Sequence, residues 1–269
     1  MKLVLVQPHL RLASDADNLG VIRAQLDAAD LDLDADDIVL LPESLERSGA
    51  RRRYRRRLRA LACALGCHVV GGSHPERVDG GAVNAGLAFS PSGEVIGRYE
   101  KLHPYASERL FVRPGAQLGE FVIAGRNVLV LVCADFFFAD LVQRATRVPD
   151  LILVPACSVT RKDTPEYSRT LWRCLAVARA YEFGAVVGIS DWAYASELPA
   201  SGVGGCADPT TTAADRLFVS IGDAGVAVFP LDFAALEDFR TDRRARGFLW
   251  KKSSESTHPM PPIDFPISI

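Results

Sequence analysis

The hydrophobic pattern of the chain alternates between short apolar runs and longer segments with apolar residues at helical spacing. Runs bounded by turn residues predict strands, and a spacing of three or four residues predicts helices with one buried face. The predicted strands are Leu3 to Val6, Asp37 to Leu41, His68 to Gly71, Ala85 to Phe89, Val95 to Tyr99, Phe121 to Ala124, Val128 to Val132, Leu151 to Val154, Ala185 to Ile189, Arg216 to Ile221 and Val226 to Leu231. The predicted helices are Asp15 to Ala29, Ala50 to Leu65, Ala139 to Arg147, Thr164 to Glu182 and Asp232 to Asp242.

The connections between these elements are of two kinds. The segment SPSGE, which begins at Ser90, joins two strands as a hairpin, whereas the segments between Leu41 and His68 and between Leu151 and Ala185 each enclose a helix. This mixture predicts an α/β fold with sheets covered by helices on their outer sides. Because no low-complexity linker divides the chain, we expect one domain over residues 1–250. Residues 251–269, with four prolines and no helical period, are expected to form an extended arm.

Composition excludes several classes of protein. The 269 residues are 48% apolar and carry a net charge of -2, which favours neither nucleic acid nor an anionic membrane as partner. No apolar run approaches the roughly 20 residues that span a bilayer. In the absence of an export signal we expect a cytoplasmic protein with reduced cysteines.

Two short motifs resemble ligand sites but lack the residues that would complete them. Cys63, Cys67 and His68 are close in sequence, but the second half of a zinc pattern is missing. The glycines from Gly202 to Gly205 resemble a dinucleotide fingerprint, but no helix follows them to hold a pyrophosphate. We therefore predict neither a metal nor an organic cofactor.

Seven arginines lie between Arg51 and Arg59 and could indicate a nucleic-acid surface. Tyr54, Leu58 and Leu61 recur through the same segment at helical spacing. This pattern favours an amphipathic helix whose arginines face solvent. An anionic partner, or the carboxylates of a neighbouring subunit, stays open as an alternative.

Three candidate catalytic residues each follow an apolar run. Cys133 ends VLVLVC, Glu43 follows the proline in DIVLLPE, and Lys101 ends VIGRYEK. Open sheets tend to build their sites at the carboxyl ends of strands, so the three side chains could meet there. A thiol needs help to form the nucleophilic thiolate, and the backbone N–H of Ala134 could stabilise an oxyanion.

These residues carry a resemblance to a known family. LLPES, RYEKLH and VLVCAD resemble, in this order, the Glu, Lys and Cys signatures of the nitrilase superfamily of carbon-nitrogen hydrolases. ERLFVRPG resembles the segment with the second glutamate of the family, which would be Glu108, and the likeness spans nearly the whole chain. It implies a four-layer α-β-β-α sandwich that assembles as a homodimer or a higher homo-oligomer.

The resemblance also implies a mechanism on a small-molecule amide. Glu43 would accept the thiol proton, and Cys133 would attack the amide carbon. Lys101 and the N–H of Ala134 would stabilise the developing anion. Loss of ammonia or an amine leaves a thioester, which water activated by Glu43 would hydrolyse. Glu108 would position Lys101 or the substrate.

The residues after the cysteine favour an amidase-like branch. Cys-Ala-Asp is unlike the Cys-Trp-Glu of family nitrilases, and we expect Asp135 to be structural. Phe136 and Phe137 occupy the places of the arginines that bind the substrate carboxylate in the branch acting on N-carbamoyl amino acids. We therefore predict that Phe137 contributes an apolar wall to the substrate site. Alternatively, the phenylalanines only pack the following helix onto the sheet.

Other functions stay open at this point. The same triad could hydrolyse a nitrile, or Cys133 could pair with His103 in a transferase or peptidase-like enzyme. Cys157 also ends a predicted strand and is the rival nucleophile, and a non-catalytic binding protein is a further alternative. The segment HPYASER lacks the glycine often found ahead of the second glutamate, so Glu108 could be displaced from the site.

Overall fold

The computed structural model describes residues 1–46, 50–159 and 164–250, which form two β-sheets and five α-helices. The first sheet contains β1 (Lys2–Gln7), β2 (Ile38–Leu40), β3 (His68–Val70), β4 (His74–Val78), β5 (Gly81–Phe89), β6 (Val95–Glu100), β7 (Val112–Arg113) and β14 (Gly225–Pro230). The second sheet contains β8 (Gly119–Ile123), β9 (Arg126–Val130), β10 (Leu151–Pro155), β11 (Val186–Ser190), β12 (Gly205–Ala207) and β13 (Val219–Ser220). The α-helices are α1 (Asn18–Ala28), α2 (Arg51–Leu65), α3 (Ala139–Arg144), α4 (Glu166–Phe183) and α5 (Phe233–Ala245). Three short 3-10 helices, η1 (Ala106–Leu110), η2 (Cys133–Phe137) and η3 (Ala214–Arg216), complete the described elements.

Each sheet has a parallel centre and antiparallel flanks. In the first sheet β1, β2 and β3 are parallel, and β14 pairs antiparallel with β1. The long strand β5 pairs with β3, β4, β6 and β7. In the second sheet β9, β10 and β11 are parallel, with β8 and β12 antiparallel on either side. The segments that follow β2, β9 and β10 leave the parallel parts of the two sheets, and together with the segment after the antiparallel strand β6 they carry the candidate site.

Strand alternation divides the apolar residues between two cores. Leu3 and Leu5 on β1 belong to the core between the two sheets, whereas Val4 and Val6 belong to the core under α1 and α2. Helix α4 packs against β11 and β12, and its buried Trp172 extends the same apolar cluster onto the outer face of the second sheet. Helices thus cover both sheets on their outer sides, and the predicted four-layer α-β-β-α sandwich is confirmed.

The domain boundaries stay a prediction. The proposed arm, residues 251–269, lies outside the described residues. Within the described part of the chain, no helix combines the length and the apolar character that crossing a bilayer requires.

One predicted strand is largely wrong, and three strands were missed. Instead of a strand from Arg216 to Ile221, the structure has η3 followed by the two-residue strand β13. Strand β4 contains a proline and charged residues, β7 is only two residues long, and β12 starts at a glycine. A Cβ at Gly205 would lie 2.5 Å from the Phe218 ring, so this strand needs glycine for close packing, which hides its sequence signal.

Local capping determines where the helices begin and end, and two helices begin later than predicted. Helix α1 begins at Asn18, three residues later than predicted, because the Asp17 side chain accepts a hydrogen bond from the Gly20 N–H as an N-cap. Helix α4 begins at Glu166, directly after Pro165, and not at Thr164. Helix α2 ends before Gly66, whose φ of 64° is the left-handed conformation that glycine adopts readily.

The arginine-rich segment forms the amphipathic helix α2, as predicted, with Tyr54, Leu58, Leu61 and Ala62 buried. Its arginines have two environments. Arg53 and Arg57 pair with the buried carboxylate of Glu46, and Arg51 pairs with Glu76. Since Glu46 follows Glu43 by three residues, the paired arginines help to fix the segment after β2. The prediction that all of these arginines simply face solvent was therefore incomplete.

Candidate functional site

Glu43 is held from both sheets. It follows β2, and its N–H donates to the carbonyl of Ala156 while its own carbonyl accepts from the Trp192 indole. Pro42 precedes it and cannot donate to a continuing strand. The next residue, Ser44, has a φ of 53° and turns the chain away. The backbone thus fixes Glu43 between the sheets, where its residue exposure is 3%.

Lys101 lies between two carboxylates. Its Nζ is 2.6 Å from Glu43 Oε1 and 2.7 Å from Glu108 Oε2. The lysine follows β6, and its N–H donates to the carbonyl of Asn84. Glu108 lies on η1, where its carboxylate also accepts from the Tyr105 N–H. Glu108 is not displaced from the site, the alternative that the sequence left open, because η1 brings its carboxylate onto the ammonium of Lys101.

Asn84 completes this group and was missed by the sequence analysis. Its Nδ2 donates to Glu43 Oε1 at 2.8 Å and to Glu108 Oε1 at 2.9 Å. Asn84 lies on β5 beside the end of β6 and is buried. The only available signal was a polar residue within the apolar strand sequence GAVNAGLAF. A buried polar residue in a strand requires partners, and this one supplies both carboxylates with a donor.

Cys133 begins η2, three residues after the end of β9. Its φ of 50° is unfavourable for a residue with a Cβ and marks a sharp turn. The thiol donates to the carbonyl of Cys157 at 3.8 Å and lines the same cavity as Glu43 and Lys101. The structure therefore brings Glu43, Lys101 and Cys133 together, with Glu108 attached through the lysine.

Burial and the neighbouring charges shift the pKa values of Glu43, Cys133 and Lys101. Burial raises the pKa of the Glu43 carboxyl, although Lys101 opposes this effect. Burial also raises the pKa of the Cys133 thiol well above its usual value, and the charge of Glu43 adds to this rise. Burial alone would lower the pKa of Lys101, but its anionic neighbours outweigh that effect and hold it well above its usual value. At neutral pH the lysine is charged and Cys133 is a thiol, so the nucleophile requires a base.

Asp135 and His103 form a supporting contact beside the site. The Asp135 carboxylate accepts from the N–H groups of Leu102 and His103 at 3.0 and 2.8 Å, and His103 Nδ1 lies 2.9 Å away. The His103 ring also stacks on Phe138 at 3.8 Å between centroids. Asp135 thus joins the turn after Cys133 to the segment after Lys101, in agreement with the structural role expected for it.

Two cavities meet at Cys133. One, of about 330 Å³, contains the polar group of Glu43, Asn84, Lys101 and Glu108. The other, of about 460 Å³, is lined by Ala134, Phe137, Phe138, Cys157 and Trp172, among others. Tyr105, Cys133, Cys157 and Val159 line both. The thiol therefore stands between a charged chamber and an apolar one.

The three phenylalanines divide between the two expected roles. Phe136 is fully buried and stacks on Trp172, so it packs in the core. Phe137 and Phe138 are each 41% exposed and line the apolar cavity. Ala134 and Phe137 both line this cavity, and their binding of substrate stays a prediction.

The rival nucleophile Cys157 lies in the same cleft, since it lines both cavities and its carbonyl accepts a hydrogen bond from the Cys133 thiol. The two cysteines differ in hydrogen bonding and in conformation, because the Cys133 thiol donates to the backbone of Cys157 and Cys133 has a φ of 50°. Cys63 is exposed and Cys67 is buried. Among the described residues, no group of three or more His, Cys, Asp or Glu side chains could hold a metal ion.

Comparisons with known proteins give a consistent result. The sequence profile of the carbon-nitrogen hydrolase family matches residues 43–193. The chain is 29% identical over 162 residues to omega-amidase NIT2 of Danio rerio. This alignment covers 53% of this chain and 57% of that protein. It is 26% identical over 128 residues to 2-oxoglutaramate amidase of Bacillus subtilis (strain 168), which covers 46% of this chain and 47% of that protein. The chain thus spans about half the length of the curated relatives it matches.

A solved structure with the same fold extends over most of the chain. Nit3 of Saccharomyces cerevisiae, a member of branch 10 of the nitrilase superfamily, aligns with a TM-score of 0.73 at 22% identity and covers 90% of this chain and 93% of that one. The matched segment 43–193 includes Glu43, Lys101, Glu108 and Cys133. The predicted family and enzyme class are therefore confirmed: the chain belongs to the carbon-nitrogen hydrolase family.

Proposed function

We propose that this protein is an amidase that hydrolyses a small amide through a thioester on Cys133. The observation that carries the proposal is the contact of one buried ammonium, on Lys101, with the carboxylates of Glu43 and Glu108 beside the Cys133 thiol. These groups supply a base, a cation and a nucleophile in one cleft. The amidase relatives, which the chain matches over about half their length, support the choice of an amide.

In the first half of the reaction, Glu43 takes the proton from the Cys133 thiol as the sulfur attacks the amide carbon. The carbonyl oxygen becomes an anion, which Lys101 and the Ala134 N–H stabilise. Glu43 then gives its proton to the amide nitrogen, the carbon-nitrogen bond breaks, and ammonia or an amine leaves. The product at this stage is a thioester between the acyl group and Cys133.

In the second half, water enters the position left by the amine. Glu43 takes a proton from this water as its oxygen attacks the thioester carbon, and the carbon-sulfur bond breaks. The sulfur regains its proton and the carboxylic acid leaves. Glu108 and Asn84 keep the Lys101 ammonium and the Glu43 carboxylate in one orientation through both halves, because each contacts its partner within 3 Å.

Release of ammonia from a panel of short primary amides tests the proposal. We expect turnover by the wild type and loss of at least about a thousandfold in Cys133→Ala and Glu43→Gln. Hydroxylamine should intercept the thioester as a hydroxamate, and mass spectrometry should locate the acyl group on Cys133. Cys174→Ala is the matched control, since Cys174 is exposed on α4.

Three results would redirect the proposal. An acyl group on Cys157 would make that residue the nucleophile. A loss in His103→Asn as large as that in Glu43→Gln would favour the Cys-His alternative, and faster turnover of nitriles than of the matching amides would favour a nitrilase. Assembly as a homodimer or higher homo-oligomer and a cytoplasmic location stay predictions.

A further inference from the structure

The apolar cavity beside Cys133 is lined mainly by aromatic and aliphatic side chains. Phe137, Phe138, Trp172, Leu171 and Val159 all contribute to its wall. Among the described residues that line it, none is Lys, Arg, His, Asp or Glu. Its volume of about 460 Å³ lies within the range of small-molecule sites and exceeds the roughly 150 Å³ that holds a benzene molecule.

This aromatic wall is preformed by contacts behind it. The Phe137 ring meets Trp172 edge-on at 5.3 Å between centroids, and Trp172 stacks on the buried Phe136 at 5.9 Å. Phe138 is held by stacking on His103, which Asp135 anchors. A ligand that enters therefore meets rings already in place and does not have to order them.

The two cavities differ in the chemistry they offer to the two sides of a scissile amide. The charged chamber contains Glu43, Lys101 and Glu108, and it can accept a nitrogen that leaves as ammonia and the water that replaces it. The described wall of the apolar cavity holds no cationic side chain, and its polar side chains are the hydroxyl groups of Tyr105, Ser158, Tyr167 and Ser168, so a carboxylate placed there would lack a counter-charge. This wall therefore favours an apolar acyl group.

We propose that the substrate is the primary amide of an arylalkanoic acid, with its aryl group in the cavity of Phe137, Phe138 and Trp172. This inference rests on the proposed amidase function and names its substrate class. Aromatic rings fill such a wall through edge and offset contacts that a flexible alkyl chain does not make. The amide carbon then lies at Cys133, and the unsubstituted nitrogen faces the charged chamber.

A panel of matched amides tests this assignment on the full chain. We expect the specificity constant kcat/KM for 3-phenylpropanamide to exceed those for propanamide and for the anionic succinamate by about a hundredfold. N-benzylacetamide carries its ring on the nitrogen side and should be a poor substrate. A preference for succinamate, or for N-benzylacetamide over 3-phenylpropanamide, would overturn the inference.

Substitution of the wall should change this preference in a directed way. Phe137→Arg places a cation in the cavity and should reduce the preference for 3-phenylpropanamide over succinamate by about tenfold or more, while Phe137→Leu should keep most of it. Phe248→Arg is the control, because Phe248 is 69% exposed and lines neither cavity. An unchanged preference in Phe137→Arg would contradict the assignment of the acyl group to this cavity.

Binding to Cys133→Ala separates this inference from the proposed function. In this variant calorimetry measures affinity without turnover, and we expect tighter binding of 3-phenylpropanamide than of succinamate. If the wild type hydrolyses no amide but this order of affinity holds, the amidase proposal fails and the cavity assignment stands. If succinamate binds more tightly, the cavity assignment fails, whether or not amides are hydrolysed.

Discussion

Replacement of Lys101 by methionine removes the positive charge that lies between two carboxylates. The ammonium is 2.6 Å from Glu43 Oε1 and 2.7 Å from Glu108 Oε2, and the lysine side chain is 3% exposed. With an effective dielectric constant of about 20, each of these contacts corresponds to about 6 kcal/mol of Coulomb attraction before desolvation is subtracted. Removal of one partner from a buried pair costs about 3–5 kcal/mol in practice, because the other charge stays buried alone.

We therefore expect Lys101→Met to lower the free energy of unfolding by about 3–5 kcal/mol at neutral pH. At about 2–4 °C for each kcal/mol in a domain of this size, Tm should fall by roughly 6–20 °C. Urea denaturation measures the first quantity and calorimetry the second. Arg23→Met is a matched control, since the Arg23–Asp27 pair is exposed on both sides and should contribute less than about 1 kcal/mol.

The stability that Lys101→Met loses should depend on pH, and it should be smaller at low pH. Burial already raises the pKa of Glu43, and without Lys101 the repulsion from Glu108 should raise it further. A group with a raised pKa in the folded state destabilises the fold only after it ionises, so the deficit of Lys101→Met should shrink as pH falls toward about 5. The double variant Lys101→Met, Glu108→Gln should recover part of the stability and none of the activity. A single variant as stable as the wild type at neutral pH would refute this electrostatic account.

Three further predictions concern other parts of the structure. Asn84→Leu removes a donor to both carboxylates, so the acid limb of the kcat/KM profile should move up by about one pH unit, and an unmoved limb would contradict a positioning role. Because burial raises the pKa of Cys133, ultraviolet spectra of the wild type and Cys133→Ser should show no thiolate difference at neutral pH. Arg240→Met removes bonds to Asp150 and to the carbonyls of Gly184 and Pro149, so urea denaturation should show a loss of about 3–5 kcal/mol while KM is unchanged.

The sequence predicted those elements whose buried residues form either a helical spacing or a continuous apolar run. Helix α2 shows its buried positions at helical spacing even among seven arginines, and β1 shows its apolar run directly. Strand β12 has no such pattern, because Gly205 contributes no side chain. Glycine is needed at this position because the nearby Phe218 ring leaves no room for a Cβ atom. Tertiary contacts determine that strand, so local sequence could not reveal it.

In the site, sequence identified the residues with distinctive chemistry and missed the one that joins them. Glu43, Lys101 and Cys133 each follow an apolar run, which marks the ends of strands. Asn84 lies inside a strand, and its role depends on two carboxylates 41 and 24 residues away along the chain. No local pattern records such a distance. The division of the phenylalanines was also invisible, since the direction of each ring depends on the turn of η2.

Burial and charge together explain why the nucleophile is stored as a thiol. Burial raises the pKa of the Cys133 thiol, the charge of Glu43 adds to this rise and Lys101 opposes it, so the thiolate is disfavoured in the resting enzyme. The same burial raises the pKa of Glu43, which makes that carboxylate a stronger base than an exposed glutamate. A proton can therefore move from sulfur to Glu43 at the moment of attack, when the new anion on the substrate oxygen gains the attraction of Lys101. Lys101 is thus most effective in the transition state, because the charge it then stabilises does not exist in the resting site.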